Sequence, residues 1–232
     1  MKLGIIGAMS QEVETLLSHL ENCRCTELAG STFYEGTLCG LDAVVVQCGI
    51  GKVNAALCVQ ILCDRYSITH VVNTGIAGSL CAELDIGDLV ISRDAMYHDV
   101  DVQAFGYPIG KVPGMPEQYK ADEHLVKLAY EAAEAVHTGH VRMGRIASGD
   151  QFVCEKALKE HIIRITGALC TEMEGAAIAH AAWRNGIPFV IIRAISDKAD
   201  NSAEMDYPTF ETQAAHHCAA VTMRFAQMLL KI

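Results

Sequence analysis

Three acidic side chains, Glu12, Glu174 and Asp197, stand just beyond apolar runs of the chain: after "KLGIIGAM", after "GALCTEM" and after "FVIIRAIS". A carboxylate taken from water without a partner pays a large desolvation penalty or changes its proton affinity, so acids in such places need a structural partner or a task. The ordinary structural explanation is capping, because an acid at a helix start accepts backbone N–H groups and meets the positive end of the helix dipole. The chemical explanation is glycosidic-bond cleavage. There, one carboxyl protonates the leaving group and the other activates water against an oxocarbenium-like carbon. A single carboxylate can also accept from both hydroxyls of a ribose. These residue types point to a hydrolase or transferase acting on a sugar-containing small molecule. Within "TEMEGAAIAHAAW", Glu172 and Glu174 flank Met173 in an otherwise apolar segment, which predicts a polar partner arriving from elsewhere in the fold.

The elements that must position these acids can be read from periodicity. "KLGIIGAM" is a short apolar run of buried-strand type, and 12–20 carries helical spacing. "STFYEGTLCGLDAVVVQCG" reads as two strands around a turn at Gly40, and "GKVNAALCVQILCDRY" as an amphipathic helix starting near Gly51. "THVVNTGIAG" and "DIGDLVISRDAMYHD" are further strands. Residues 99–120 hold three of the five prolines together with Gly106, Gly110 and Gly114, which predicts a long loop of functional type. Helix 121–136, strand 141–149, helix 155–165, strand 168–172, helix 174–185, strand 188–195 and helix 207–230 follow. Alternating strands and helices without repeat or linker predict a single domain over 1–232, a three-layer α/β/α fold with a central mixed β-sheet. Ligands of open α/β sheets bind beyond the carboxyl ends of the strands, where residues 9–12, 49–51, 75–78, 150–153, 172–174 and 196–197 fall together. Three acids on three different elements then converge on one crevice, which capping alone does not require.

Composition narrows the partner. A formal charge of -10, from 28 acidic and 18 basic residues, disfavours nucleic acid and anionic membrane as main partners and favours a small molecule. The N-terminal apolar run breaks at Ser10-Gln11-Glu12, too early for a signal peptide, and no apolar run is long enough to span a bilayer. A cytoplasmic protein is expected. The ten cysteines lie mostly inside apolar runs, where free Cys behaves as a small hydrophobe, and Cys23 and Cys25 lack metal spacing. Neither metal nor cofactor is expected. Gly4 and Gly7 of "GIIGAM" lack the third glycine and the acid of a dinucleotide fingerprint, and "NTGIAGSL" lacks the Lys of a phosphate loop.

Taken together, "GIIGAMSQEVE", "VVNTGIAGSL", "RDAMYHDVDVQAFGYPIGKVPGMP", "IASGDQFV", "TEMEGAAIAHAAW" and "VIIRAISDKAD" resemble, in order and over essentially the whole chain, the bacterial 5′-methylthioadenosine/S-adenosylhomocysteine nucleosidases of the purine and uridine phosphorylase superfamily. The resemblance implies a homodimer, active in methionine salvage, that hydrolyses the bond between adenine and a 5′-thio-substituted ribose, with 5′-deoxyadenosine as a further substrate. It implies that Asp197 protonates nitrogen 7 of adenine, that Glu12 is the base for water, and that Glu174 holds the ribose hydroxyls. Phe152 would stack on the base and the backbone of Val153 would bond its edge. Gly78 would belong to the binding site, Met173 would pack on the nucleoside, and Met9, Ile50 and Tyr207 would line the ribose and thioalkyl region. Val102, Phe105 and Tyr107 would come from the neighbouring subunit and close the 5′ pocket.

One position departs from the resemblance: several relatives carry Ser where this chain has Ile76. The loss of one hydroxyl should alter rate or substrate range and leave the reaction class intact. Arg193 is the one cation expected near the site, as a partner of Glu174 or of the water. A phosphorylase would want several cations for its phosphate, and Glu12 would repel that anion, so water is the expected nucleophile. A nucleosidase for another adenosine-like compound such as futalosine, or a nucleoside-binding module without catalysis, are the other readings. The latter would have no use for Glu12 and Asp197 as base and acid.

Overall fold

The computed structural model describes residues 1–231, less the side chains of residues 204 and 205. Its strands are β1 (Leu3–Gly7), β2 (Leu20–Leu28), β3 (Ser31–Leu38), β4 (Leu41–Gln47), β5 (His70–Ser79), β6 (Leu89–Tyr97), β7 (Tyr119–Lys120), β8 (Val141–Ser148), β9 (Cys170–Glu172) and β10 (Phe189–Asp197). Its helices are α1 (Ser10–Ser18), α2 (Lys52–Tyr66), α3 (Glu123–Val136), α4 (Lys156–Thr166), α5 (Gly175–Asn185) and α6 (Ala203–Leu229). They form the expected α/β arrangement around one mixed sheet.

The sheet runs β10-β6-β8-β9-β5-β1-β4-β3-β2, with β7 paired to β6, and β10 also pairs with β5, so five strands close on themselves and β1, β4, β3 and β2 extend from β5 as an open wing. Closure is possible because β5 is ten residues long and serves different neighbours along its length. Its first half pairs in parallel with β1, most of its length pairs in parallel with β10, and its last residues, Gly78 and Ser79, pair antiparallel with Thr171 and Cys170 of β9. The expected central mixed sheet is therefore partly closed. All five residues of β1, all nine of β10 and nine of the ten of β5 are buried, as near-continuous apolar runs require when both faces are covered.

Other differences have local causes. The helix read as running to residue 20 ends at Ser18, and 20–28 is a strand whose residues after Leu20 are almost all exposed. Such a strand carries no apolar alternation to find it by. Its bulge near Glu21 sits opposite Gly36, where a Cβ would lie 2.5 Å from the Glu21 carbonyl oxygen. The 99–120 loop contains a short 3₁₀ turn (Gln103–Phe105) and, at its end, the two residues of β7. The last helix starts at Ala203 rather than 207, which leaves Pro208 inside it instead of in its first turn.

Candidate active site

The acids arrive on separate elements. Glu12 lies in the first turn of α1, Glu174 is the residue before α5, and Asp197 is the last residue of β10. All three are nearly fully buried, and all three line one cavity of about 480 Å³ together with Met9, Ile50, Ile76, Gly78, Phe152, Glu172, Met173, Ser196 and Tyr207. The crevice anticipated from the strand ends exists, and the acids face into it.

Each carboxyl is fixed by donors that leave part of it open to the cavity. Glu12 Oε2 accepts the amides of Ala8 (2.6 Å) and Met9 (3.0 Å), and Oε1 accepts the Ile76 amide at 3.0 Å. The bond to Met9 is of capping type, but the bond to Ile76 comes from β5 and has no role in α1. Glu174 caps nothing: its Oε1 accepts the Gly51 amide at 2.9 Å from the turn that starts α2. Asp197 Oδ1 accepts the Ala199 amide (2.7 Å) and Oδ2 the Ser196 hydroxyl (2.8 Å), around a register shift in β10 that turns the end of the strand.

Burial sets the proton affinities. Desolvation raises Glu12 above the ordinary glutamate value, against the opposing pull of Arg193 and its three amide donors. Desolvation also raises Glu174, assisted by the neighbouring Glu172 and opposed by Arg193 and the Gly51 amide. Asp197 is raised by burial, against the Ala199 and Ser196 hydrogen bonds, with smaller contributions from Asp206 and Asp200. A raised value favours the protonated form, which suits a proton donor, and a raised base holds an accepted proton more tightly. Such shifts in a cleft are the usual mark of acid–base chemistry.

Arg193 occupies the floor of the site, 1% exposed. Expected as a partner of Glu174 or of water, it instead makes its shortest contact with Glu172. Its Nη2 donates to Glu172 Oε2 and, at 2.6 Å, to Asn73 Oδ1. It stands 3.8 Å from Glu12 and 3.7 Å from Glu174, beyond direct hydrogen bonding. Burial works against its charge, yet Glu172, Glu12 and Glu174 together hold it firmly protonated. Glu172 thus meets the polar partner that its surroundings demanded.

Phe152 is half exposed at the cavity mouth and meets Tyr207 edge to face, with ring centroids 5.5 Å apart. The Tyr207 hydroxyl donates to Met9 Sδ at 3.0 Å. Ile50 is exposed at the rim, whereas the Val153 side chain is buried in a small cluster with Leu80 and Ala199 and borders only a narrow annex beside Gly78 and Asp197. Val102, Phe105 and Tyr107 do not border the cavity of their own chain, and Phe105 is 79% exposed.

Two glycines have steric reasons. A Cβ on Gly75 would collide with Arg193 Nη1 and Glu12 Oε1, and one on Gly78 would come within 2.8 Å of Asp197 Oδ1 and of Ala199 Cβ. Gly75 and Ser196 belong to the strand-end stretches read from the sequence, whereas Asn73 lies outside them, although a polar Asn inside the apolar "THVVNTGIAG" is a usable signal. Lys52 also lies outside them, and its Nζ meets Asp99 at 2.5 Å and Asp150 at 3.6 Å, tying together the turns that carry Ile50 and Phe152.

The Phosphorylase superfamily model matches residues 2–227. The 5′-methylthioadenosine/S-adenosylhomocysteine nucleosidase of Chromohalobacter salexigens is 44% identical over 229 residues, 98% of this chain and 97% of that protein. Among solved structures, the corresponding nucleosidase of Neisseria meningitidis in complex with methylthio-immucillin-A is 38% identical with a TM-score of 0.95, covering 97% of this chain and 98% of that one. The nucleosidase of Colwellia psychrerythraea in complex with adenine is 40% identical with a TM-score of 0.96, covering 99% of this chain and 96% of that one.

Proposed function

The chain belongs to the phosphorylase superfamily and, within it, to the 5′-methylthioadenosine/S-adenosylhomocysteine nucleosidases, and on that premise we propose how its residues carry out the reaction. It is a hydrolase of the N-glycosidic bond of 5′-methylthioadenosine and S-adenosylhomocysteine, releasing adenine and the 5′-thio-substituted ribose. The observation that carries the residue assignments is the convergence of Glu12, Glu174 and Asp197, from three separate elements, on one cavity with apolar walls.

Asp197 gives its proton to nitrogen 7 of the adenine, so that the base departs neutral as the bond from C1′ to N9 breaks. Its proton affinity, raised by burial, suits a donor. Water forms the new bond to C1′ and passes a proton to Glu12, whose two oxygens are oriented by the amides of Ala8, Met9 and Ile76. Glu174 accepts from the ribose hydroxyls with the oxygen not bonded to Gly51. Phe152 stacks on the adenine, the Val153 backbone and Gly78 meet its edge, and Met9, Ile50, Met173 and Tyr207 enclose the ribose and thioalkyl group. The Arg193 cation is already engaged by Glu172 and Asn73, which supports water over phosphate as the nucleophile.

The exposure of Phe105 beyond its own cavity supports a homodimer in which Val102, Phe105 and Tyr107 close the neighbour's 5′ pocket. Among the described residues no helix is long and apolar enough to cross a membrane. A cytoplasmic role in methionine salvage, without a cofactor, fits this substrate.

The test is product analysis on 5′-methylthioadenosine with and without phosphate. Adenine and a free reducing sugar are expected in both buffers. Release only with phosphate, giving a sugar 1-phosphate, would overturn the assignment of water as nucleophile.

A further inference from the structure

Three carboxylates surround a single buried guanidinium, and they do not share it equally. Glu172 takes the direct bond from Arg193 Nη2, while Glu12 and Glu174 stay at 3.8 and 3.7 Å. Glu172 is also the most completely bonded of the three. Its Oε1 accepts the Ser148 hydroxyl, and its Oε2 accepts the amides of Glu174 (3.0 Å) and Gly175 (2.7 Å) as well as Arg193. Four donors therefore hold its carboxylate in place, one of them the guanidinium.

We propose that Glu172 is a positioning residue that captures Arg193 and so keeps the guanidinium from pairing with Glu12 and Glu174, preserving Glu12 as a base and Glu174 as an acceptor of ribose hydroxyls. This rests on the roles given above to Glu12 and Glu174.

The alternative position of the guanidinium is close at hand. Arg193 Nε is buried without a hydrogen-bond partner, so the Nη groups alone fix the head, through Glu172, Asn73 and a long 3.4 Å bond to the Ile76 carbonyl. The ionisable groups facing it are Glu12 from α1, Glu172 from β9, Glu174 before α5 and the buried thiol of Cys218 from α6. Cys48 and Cys170 lie close enough to feel its charge, but burial pushes both thiols far above neutrality. Only Glu12 and Glu174 remain as anionic partners should Glu172 lose its charge. A shift of less than 1 Å would bring the guanidinium into hydrogen-bond range of either one.

The test is the pH profile of kcat/KM for 5′-methylthioadenosine in the wild type, Glu172→Gln and Glu172→Asp, with thermal unfolding of each. In Glu172→Gln, Arg193 turns to Glu12 and Glu174, favours their anionic forms and weakens Glu12 as a base. The acid limb should move down by about one pH unit and kcat should fall roughly tenfold. Glu172→Asp retains the charge, so its acid limb should stay near the wild-type position even where kcat drops through the shorter reach. A folded Glu172→Gln whose profile has lost height but kept its limbs would overturn the inference, because anchoring the start of α5 alone would do that. Should Glu172→Gln fail to fold, Glu172→Asp decides, since an acid limb displaced by a full unit despite the retained charge would also overturn it. If the wild type released no adenine, the assigned function would fail first, and the two failures are therefore distinct.

Discussion

Glu12 on α1 and the Ile76 amide on β5, 64 positions apart in the chain, are joined by a 3.0 Å hydrogen bond that aims the Glu12 carboxyl into the cavity. With Ala8 and Met9 on the other oxygen, the carboxyl is oriented before any substrate arrives. Preorganisation of this kind suits the role of base proposed for Glu12.

Glu12→Gln should therefore abolish most turnover while leaving the fold intact, because an amide keeps the shape but cannot take a proton. A fall in kcat of about 10²- to 10⁴-fold is expected, with little change in substrate affinity. Single-turnover adenine release and equilibrium binding of 5′-methylthioadenosine separate the two quantities. Undiminished turnover would remove Glu12 from the mechanism.

Asp197 links activity to stability with a definite sign. Burial raises its proton affinity in the folded state, so its favourable contribution to stability is complete below the unfolded aspartate value and is lost as pH rises through the folded value. At neutral pH the wild type thus carries a cost that Asp197→Asn relieves. The variant should lose nearly all activity yet be more stable than wild type near pH 7.5, by about 0.5–2 kcal/mol, and unfold at a correspondingly higher temperature, with the gap narrowing towards pH 4. Paired thermal scans at the two pH values measure this. The wild-type kcat/KM should also fall on the alkaline side as Asp197 loses its proton, and Asp197→Asn should lack that limb.

Gly75 admits no side chain. A methyl there would overlap both Arg193 Nη1 and Glu12 Oε1, which are buried and cannot swing into solvent. Gly75→Ala should displace the base and destabilise the fold by about 1–3 kcal/mol, the usual cost of overpacking. Denaturant unfolding and adenine release should report both losses together.

Ile76→Ser should act more gently on catalysis than on stability. The Ile76 amide, not its side chain, holds Glu12, so the base stays in place while a buried apolar side chain is lost. Removing that side chain should cost about 2 kcal/mol or more of stability. A hydroxyl in the cavity should change kcat/KM by about tenfold at most, with the same products.

Phe105→Ala tests the dimer. If Phe105 closes the neighbour's pocket, its loss should raise KM for 5′-methylthioadenosine about tenfold with kcat little changed and with no loss of protomer stability, since the side chain is exposed on its own subunit. An unchanged KM, or a monomer in sedimentation at assay concentration, would remove the loop from the site.

The apolar runs that form β1, β5 and β10 are visible in the chain because strands buried on both faces must be apolar throughout, and the acids that follow β1 and end β10 stand out against them. For the same reason the exposed strand β2 was missed: nothing in "LENCRCTEL" records that it pairs with β3. The acids and their convergence could be named from residue order alone. Which acid keeps the guanidinium could not, since Glu172 and Glu174 are two residues apart in a similar apolar setting. That was decided by β10 bringing Arg193 against β9, and by Ser148 and the start of α5 completing the donors to Glu172. Local pattern determines which segments leave water and which side chains resist leaving it. Partnership among the buried charges depends on differences of about 1 Å between elements far apart in the chain, and only the packed sheet sets those distances.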